Sequence, residues 1–300
     1  MSAQQPAEQT AQEQRPQPRI WSGPNRTGQT QVNFIGGPVA RRLLTVSRIE
    51  SITPRFRRFY LTGDDLAVGF PYVNFAPSDH VKVLFPQPDS GELILPTPGE
   101  RGWQMPEGAA KPITRDYTVR GWLPDTRELI LEFVIHGHGV ASAWATNAKV
   151  GDKLGVMGPR GNIVFPENYA FYLLAGDEAA LPSITRLLEE LPEGAGAHAF
   201  IEVEDAGETQ DLPLRPGVKV AWVLRRTAGI GGLERAVREV ELPAGDDWFV
   251  FAAGEVGMLR PIRDYFRKEL GLPKERVVVD GYWKRGVENL DHHAVDLDAD

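Results

Sequence analysis

The stretch FYLLAGDEAALPSITRLLEEL, residues 171–191, decides the fold. Its first six residues form an unbroken apolar run, the composition of a strand buried on both faces of a parallel sheet. Gly176 and Asp177 leave that run and Glu178 opens a helix, in which Leu181, Ile184, Leu187, Leu188 and Leu191 fall on one stripe at helical spacing. Pro182 lies near the helix start, where proline is tolerated. A strand, a Gly–acid turn and an amphipathic helix in that order make one unit of an open α/β sheet.

The same signals recur downstream. HAFIEV, KVAWVLR, WFVFAAG and RVVVDGYW are further short apolar runs, and VGMLRPIRDYFRKEL repeats the helical stripe with Leu259, Ile262, Phe266 and Leu270, Pro261 standing near its start. Upstream the chain changes character. LLTVSRIESIT, FRRFYLTG, DHVKVLF, GELILP, YTVRGW and ELILEFVIHG are strand-like runs separated by Pro, Gly and Asp clusters, which predict a small antiparallel barrel. Residues 1–36, rich in Gln, Pro, Ala and Thr, read as a mobile tail, and residues 291–300 as an acidic mobile end. Between them lie a barrel domain over 37–166 and an α/β domain over 167–290. The fold class is therefore β followed by α/β, with no internal repeat.

Composition narrows the function. The 300 residues are 42% hydrophobic and carry a formal charge of −8, which argues against nucleic acid or an anionic membrane as the main partner. With no cysteine, disulfides, thiolate zinc sites, cysteine nucleophiles and protein-ligated iron–sulfur clusters are excluded within this chain. The start lacks a basic segment followed by an apolar core, and no run approaches a membrane span. A soluble, monomeric, cytoplasmic protein is expected.

Several short patterns bear on chemistry. In TRDYTVR (114–120) alternation puts Arg115, Tyr117 and Val119 on one face of a strand and Asp116, Thr118 and Arg120 on the other, as in any half-buried strand. HGHGVAS (136–142) follows a strand and opens a short helix; the amides of Ala141 and Ser142 and the Ser142 hydroxyl suit a pyrophosphate. Its third glycine is a serine and no βαβ unit follows, so it is a weak dinucleotide fingerprint. Beside that helix start, Arg115 could neutralise phosphate, Tyr117 lie flat on a ring system and Thr118 bond the ring's edge. In the α/β half, Gly176-Asp177-Glu178 and Gly254-Glu255 both leave strands and start helices. Each alone suits an ordinary turn with a capping acid; the duplication also suits a ligand crevice. Arg225 and Arg226 end a strand and suit either solvent or the 2′-phosphate of NADPH. His136 and His138 lack a nearby third ligand and His292 and His293 lie in the acidic tail, so no protein-bound metal is expected. A hydrolase is disfavoured by the absence of a G-x-S-x-G turn.

From about Leu43 to Gly286 the chain resembles the siderophore-interacting proteins, flavin-dependent ferric-siderophore reductases related to the ferredoxin reductases. The resemblance is carried, in order, by DHVKVLFP, RDYTVR, VIHGHGVASAWA, GDKLGVMGPRGN, YLLAGDEAALPSI, AAGEVGMLRPIRDYFRKELGLPKERV and GYWKRG. It implies an FAD-binding barrel followed by an NAD(P)H-binding α/β domain, and reduction of ferric siderophores. By that likeness Arg115, Tyr117 and Thr118 fall on the flavin motif, with Thr118 at the flavin edge, and His136, Gly139, Ala141 and Ser142 on a second FAD segment with Trp144 on the helix behind it. Gly176, Asp177, Glu178, Gly254, Glu255 and Trp283 fall on the nicotinamide side, with Arg225 slightly favouring NADPH. Lys82, Arg160, Lys284 and Arg285 are implied to converge on an anionic iron chelate. Val140 stands where the family usually has proline, His138 where it often has aspartate, and Ala179 where threonine is usual. A general NAD(P)H:acceptor oxidoreductase and a siderophore-binding module without redox chemistry remain alternatives. Ferredoxin as an electron donor in place of NAD(P)H is left open.

Overall fold

The computed structural model describes residues 30–99, 102–212 and 214–287. In the first half, β1 (Asn33–Gly36), β2 (Arg41–Thr53), β3 (Phe56–Thr62), β4 (His80–Phe85), β5 (Thr97–Gly99), β6 (Gly102–Gln104), β7 (Ile113–Thr118), β8 (Gly121–Leu123) and β9 (Glu128–Val134) precede helix α1 (Gly139–Asn147), β10 (Lys153–Met157) and β11 (Gly161–Val164). The second half runs β12 (Phe171–Gly176), α2 (Leu181–Glu190), β13 (Gly196–Val203), β14 (Val218–Leu224), α3 (Arg225–Ala228), α4 (Gly232–Arg238), β15 (Trp248–Glu255), α5 (Val256–Asp264) and β16 (Val277–Trp283).

Seven strands in the order β7-β4-β10-β2-β3-β9-β8 form an antiparallel half-barrel. Its inward residues, among them Leu44, Phe59, Val83, Leu131 and Leu154, make one core that Ala141 and Ala145 of α1 close on one side. The second sheet is wholly parallel, ordered β14-β13-β12-β15-β16. Period-two alternation divides each central strand between two layers: Tyr172 and Leu174 pack with α2, whereas Leu173 and Ala175 pack with α4 and α5. Strand order reverses between β12 and β15, the place where open α/β sheets bind ligands.

Four local expectations change. Asn33–Gly36, placed by the sequence reading within a mobile tail, pairs antiparallel with Gly161–Val164; residues 1–29 and the acidic end 291–300, with His292 and His293, lie outside the described residues. GELILP forms no strand, since both edges of β4 are already taken, by β7 and β10; Ile94 is buried from a loop instead. Pro261 falls inside α5, not near its start, and removes one amide from its ladder. Leu270 lies beyond the wide π-helical turn Tyr265–Glu269 and is exposed, while Leu259, Ile262 and Phe266 of the same stripe are buried.

The two halves share a seam built on the polar side of α2. Arg186, fully buried, donates to the carbonyls of Val119 (3.0 Å) and Val73, pairs with Glu190 of its own helix (3.2 Å) and lies 4.1 Å over the Tyr72 ring. Glu190 in turn accepts from the Phe75 amide and the Tyr72 hydroxyl. Arg120, also buried, forms a two-pronged bridge to Glu189 at 2.8 and 2.7 Å. Around these charges Phe56, Phe75 and Phe165 of the first half pack into the same core as Tyr172, Leu174 and Phe249 of the second.

A second fixture ties the carboxyl ends of the parallel strands together. The buried Asp177 carboxylate accepts from the amides of Ala179 (2.9 Å), Ala180 (3.3 Å) and Glu255 (2.9 Å) and from the Trp283 indole (2.7 Å). It fits because Gly254 has no side chain: a Cβ there would lie 2.7 Å from the Asp177 carboxyl carbon, and the glycine's φ of 137° is foreign to other residues. Burial, reinforced by the neighbouring Glu178 carboxylate, pushes the Asp177 carboxyl up to about 6 against the pull of these donors.

Two outcomes are expected. Replacing Arg186 with Leu strands Glu190 and two buried carbonyls, and should lower the unfolding free energy in urea by about 3–5 kcal/mol; a loss below about 1 kcal/mol would contradict the seam's role. The folded protein keeps the Asp177 proton up to about pH 6, whereas an unfolded aspartate releases it near pH ~4. Between those values the folded state holds more protons, so this carboxyl makes stability fall as pH rises. Measured across that window, the stability of the wild type relative to Asp177→Asn should decline with pH, and a rise would refute the assignment.

Candidate functional site

A cleft of about 1420 Å³ opens between the halves. One wall is the edge strand β7 with the turn into α1; the other comprises the start of α2, the ends of β13 and β14, and the whole of β16.

β7 sits at the rim, so side chains from both of its faces reach the cleft: Arg115, Asp116, Tyr117 and Thr118 all line it. Tyr117 stacks on Phe133 with ring centroids 4.0 Å apart, and burial holds its hydroxyl well above the usual range, hence protonated. The Arg115 guanidinium spends one bond on the Thr114 carbonyl (2.8 Å), leaving most of its donor fork for a ligand. Across from it, His136, Gly139, Ala141 and Ser142 line the same cleft. Gly139 takes a φ of 73° to turn the chain into α1, and no side chain caps the first amides of that helix. The Ser142 hydroxyl accepts from the amides of His136 (3.0 Å) and Gly137 (3.2 Å). With both lone pairs engaged, its hydrogen is left to donate. Burial, and the nearby His138, lower the His136 pKa, favouring the neutral ring.

The opposite wall brings hydroxyls that the sequence did not single out. Ser183 of α2 lies 3.3 Å from Thr118 and 2.8 Å from the Tyr282 hydroxyl, and Ser78 donates to Asp280 at 2.6 Å. This chain of hydroxyls crosses the seam beside the cleft, which Ser78, Thr118 and Tyr282 line. Its members come from four segments distant in sequence; Thr118, Ser183 and Tyr282 fall inside the quoted motifs RDYTVR, YLLAGDEAALPSI and GYWKRG, but of them only Thr118 was singled out as a site residue.

Other predicted residues are placed differently. Trp144 does not line the cleft; it packs behind α1 against Phe59, Phe85 and Phe133, at centroid distances of 5.1, 5.8 and 5.6 Å. Gly176 and Gly254 are not among the residues lining the cleft, and neighbours fill the space a Cβ would take: Ala180 and the Ala253 carbonyl at Gly176, Asp177 at Gly254. Asp177 is buried, and Glu255 caps α5 through the Met258 amide (2.8 Å) while accepting from the Arg285 amide (3.1 Å). Trp283 lines the cleft with its indole fixed by Asp177. Glu178 also lines it, but its carboxylate is bridged to Arg225 at 3.0 and 2.7 Å. Arg225 further holds Glu202 (2.9 Å) and Glu204 (3.1 Å), so it does not stand ready for a 2′-phosphate as the sequence had suggested.

The four cations expected around an anionic chelate stand outside the cleft wall. Lys82 shares a face of the β4–β7 ladder with His80, Asp116 and Thr118, which do line it, and is bonded to Asp116 at 2.7 Å. Arg160 is exposed three residues beyond Met157, the register partner of Lys82; Lys284 and Arg285 are exposed just after β16. Among the described residues no group of three or more His, Asp or Glu could hold a metal, and no helix is long and apolar enough to cross a membrane.

Comparison with known proteins agrees with this architecture. Residues 45–163 match the profile of the siderophore-interacting FAD-binding domain, and residues 169–286 that of the siderophore-interacting protein. The NADPH-dependent ferric-chelate reductase of Escherichia coli is 37% identical over 247 residues, 81% of this chain and 92% of that protein. The ferric vibriobactin reductase ViuB of Vibrio cholerae is 32% identical over 255 residues, 84% and 92% of the two chains. Among solved structures, a siderophore utilization protein from T. fusca superposes with a TM-score of 0.80 at 44% identity, covering 88% of this chain and all of that one. A ferredoxin reductase of carbazole 1,9a-dioxygenase shares the fold alone, with a TM-score of 0.59 at 17% identity over 82% of this chain and 68% of its own. With both domains matched in sequence and in order, the chain belongs to the siderophore-interacting protein family.

Proposed function

We propose that this protein is a flavin-dependent reductase that passes electrons from NAD(P)H through FAD to ferric siderophores, releasing iron as Fe(II). The observation that carries the reading is the cleft of about 1420 Å³ between an anion-ready turn and the ends of a parallel sheet. Pockets for one small ligand span roughly 300–1,000 Å³, so this cleft has room for two ligands. Two relatives of nearly matching length are named as ferric-chelate and ferric-vibriobactin reductases.

The residues present fit FAD. The open fork of Arg115, the uncapped amides at the start of α1 and the donating hydrogen of Ser142 offer charge and hydrogen bonds to a pyrophosphate. The Tyr117 face, backed by Phe133, offers a flat surface, and Thr118 a hydroxyl at its edge. When bound, FAD accepts a hydride and gives up electrons one at a time, the conversion that joins a nicotinamide to ferric iron. The chain's own work is placement. Ser183 links the two walls, lying 3.3 Å from Thr118 on one and 2.8 Å from Tyr282 on the other, and burial keeps the Tyr282 hydroxyl protonated. His80, Asp116 and Thr118 lead outward to Lys82, and with Arg160, Lys284 and Arg285 this rim supplies cations to an anionic chelate that brings its own iron. Weaker binding of ferrous iron by hard oxygen ligands then favours release. We place the reaction in the cytoplasm, with a monomer as the working unit.

Purified protein should be yellow, be bleached by a pyridine nucleotide without oxygen, and regain its colour on addition of a ferric siderophore while a ferrous-specific chelator develops its own. Indifference to ferric chelates would leave a general flavin oxidoreductase, and colourless protein that takes up no FAD would leave a binding module. Arg115→Ala removes one charge-assisted contact, worth about 1.5–3 kcal/mol, and should weaken FAD binding roughly tenfold or more in equilibrium dialysis. Lys82→Ala should raise KM for anionic ferric chelates and leave the rate of flavin reduction by nucleotide unchanged; steady-state and stopped-flow kinetics in parallel check the split.

A further inference from the structure

We infer that the cleft selects NADH over NADPH, because the ends of β13 and β14 form an acidic cage already closed on the one arginine placed to receive a 2′-phosphate. The inference rests on the reading of the cleft as a pyridine-nucleotide site.

A dinucleotide laid across this sheet has its nicotinamide next to the flavin wall, where Thr118 and Tyr282 meet, on the β16 side of the reversal between β12 and β15. Its adenosine must then reach the other way, over the ends of β13 and β14. Glu178, Val203, Glu204 and Arg225 line the cleft there. Of these, Arg225 is the only cation, and four of its five donors are spent: Nη1 and Nη2 on Glu178, Nε on Glu202 and Nη1 again on Glu204. Neighbouring Arg226 is likewise turned to Glu204 and Asp205, at 3.3 and 3.5 Å. Arg55, across the cleft, lies 3.9 Å from Glu204. Glu208, also on the wall, accepts from the Thr53 hydroxyl and the Arg55 amide. Four carboxylates thus meet three guanidiniums before any ligand arrives, with Glu208 a fifth acid beside them.

The chemistry of the two nucleotides separates on this patch. The ribose diol of NADH presents two hydroxyl donors and needs acceptors, which the carboxylate oxygens supply while still paired to Arg225. A 2′-phosphate brings negative charge and needs donors. To grip it with more than one donor Arg225 must release a carboxylate, and Glu178 and Glu202 are only 16% and 10% exposed, so the released partner is left poorly solvated. An acid at the end of the second strand of such a sheet plays the same discriminating part in dinucleotide folds generally.

The test is calorimetric titration of the oxidised, FAD-loaded protein with NAD⁺ and NADP⁺ at one ionic strength, which reads binding without turnover. NAD⁺ should bind at least tenfold more tightly. Glu204→Gln and Glu202→Gln each loosen the cage, and each should shrink that ratio at least threefold by tightening NADP⁺; flavin absorbance and melting temperature identify whichever variant stays folded. Equal affinities, tighter NADP⁺, or a ratio unmoved in a folded variant would overturn the selectivity. Binding of neither nucleotide would overturn the nucleotide reading beneath it.

Discussion

The cleft exists because helix α2 presents its charged side to the other half of the molecule. A guanidinium at Arg186 with no solvent around it can persist only if its donors are matched, and they are matched largely by groups of the half-barrel: two backbone carbonyls and an aromatic face. Arg120 answers from the opposite direction, reaching Glu189 on the same helix. The seam is therefore reciprocal, each half burying one arginine that the other helps to satisfy. Such contacts have narrow geometric tolerance, which is what a site assembled from two lobes requires.

This arrangement explains why α2 carries function as well as structure. Its apolar stripe is held by β12 and β13, its charged residues by the half-barrel, and Ser183 in its first turn reaches the hydroxyls of Thr118 and Tyr282. Asp177 performs a related task at the preceding turn, collecting amides from two strand ends and the indole of Trp283. Residues that look like ligand contacts from their position at strand ends are here committed to holding the wall, and the wall's lining is left to their neighbours.

Much of the fold was legible because it follows from local periodicity. The apolar runs from Phe171 onward became the five parallel strands, and the stripe of Leu181, Ile184, Leu187, Leu188 and Leu191 became a buried helix face. The grouping of Arg115 to Thr118 with His136 to Ser142 on one cleft was also anticipated; the first segment lies on β7, and the second follows β9, whose Phe133 meets Tyr117. What escaped depends on contacts between distant segments. Arg186 lies off the apolar stripe and reads as a solvated helix face, yet a second core covers it. Arg225 reads as a free cation, and its three carboxylates come from positions 21 to 47 residues away. Gly176 and Gly254 read as openings for a ligand, because a sequence reports a missing side chain but not what occupies its place.

The short ribbon of β1 on β11 has a consequence for how the amino end of the chain is handled. Its pairing draws Val32 onto the cleft wall, alongside Ile163 of the partner strand. A fusion joined close before this strand would stand at the ligand mouth, not at a remote surface. Proteolytic trimming past residue 36 would strip away part of the wall and leave the edge of β11 bare for pairing with foreign strands.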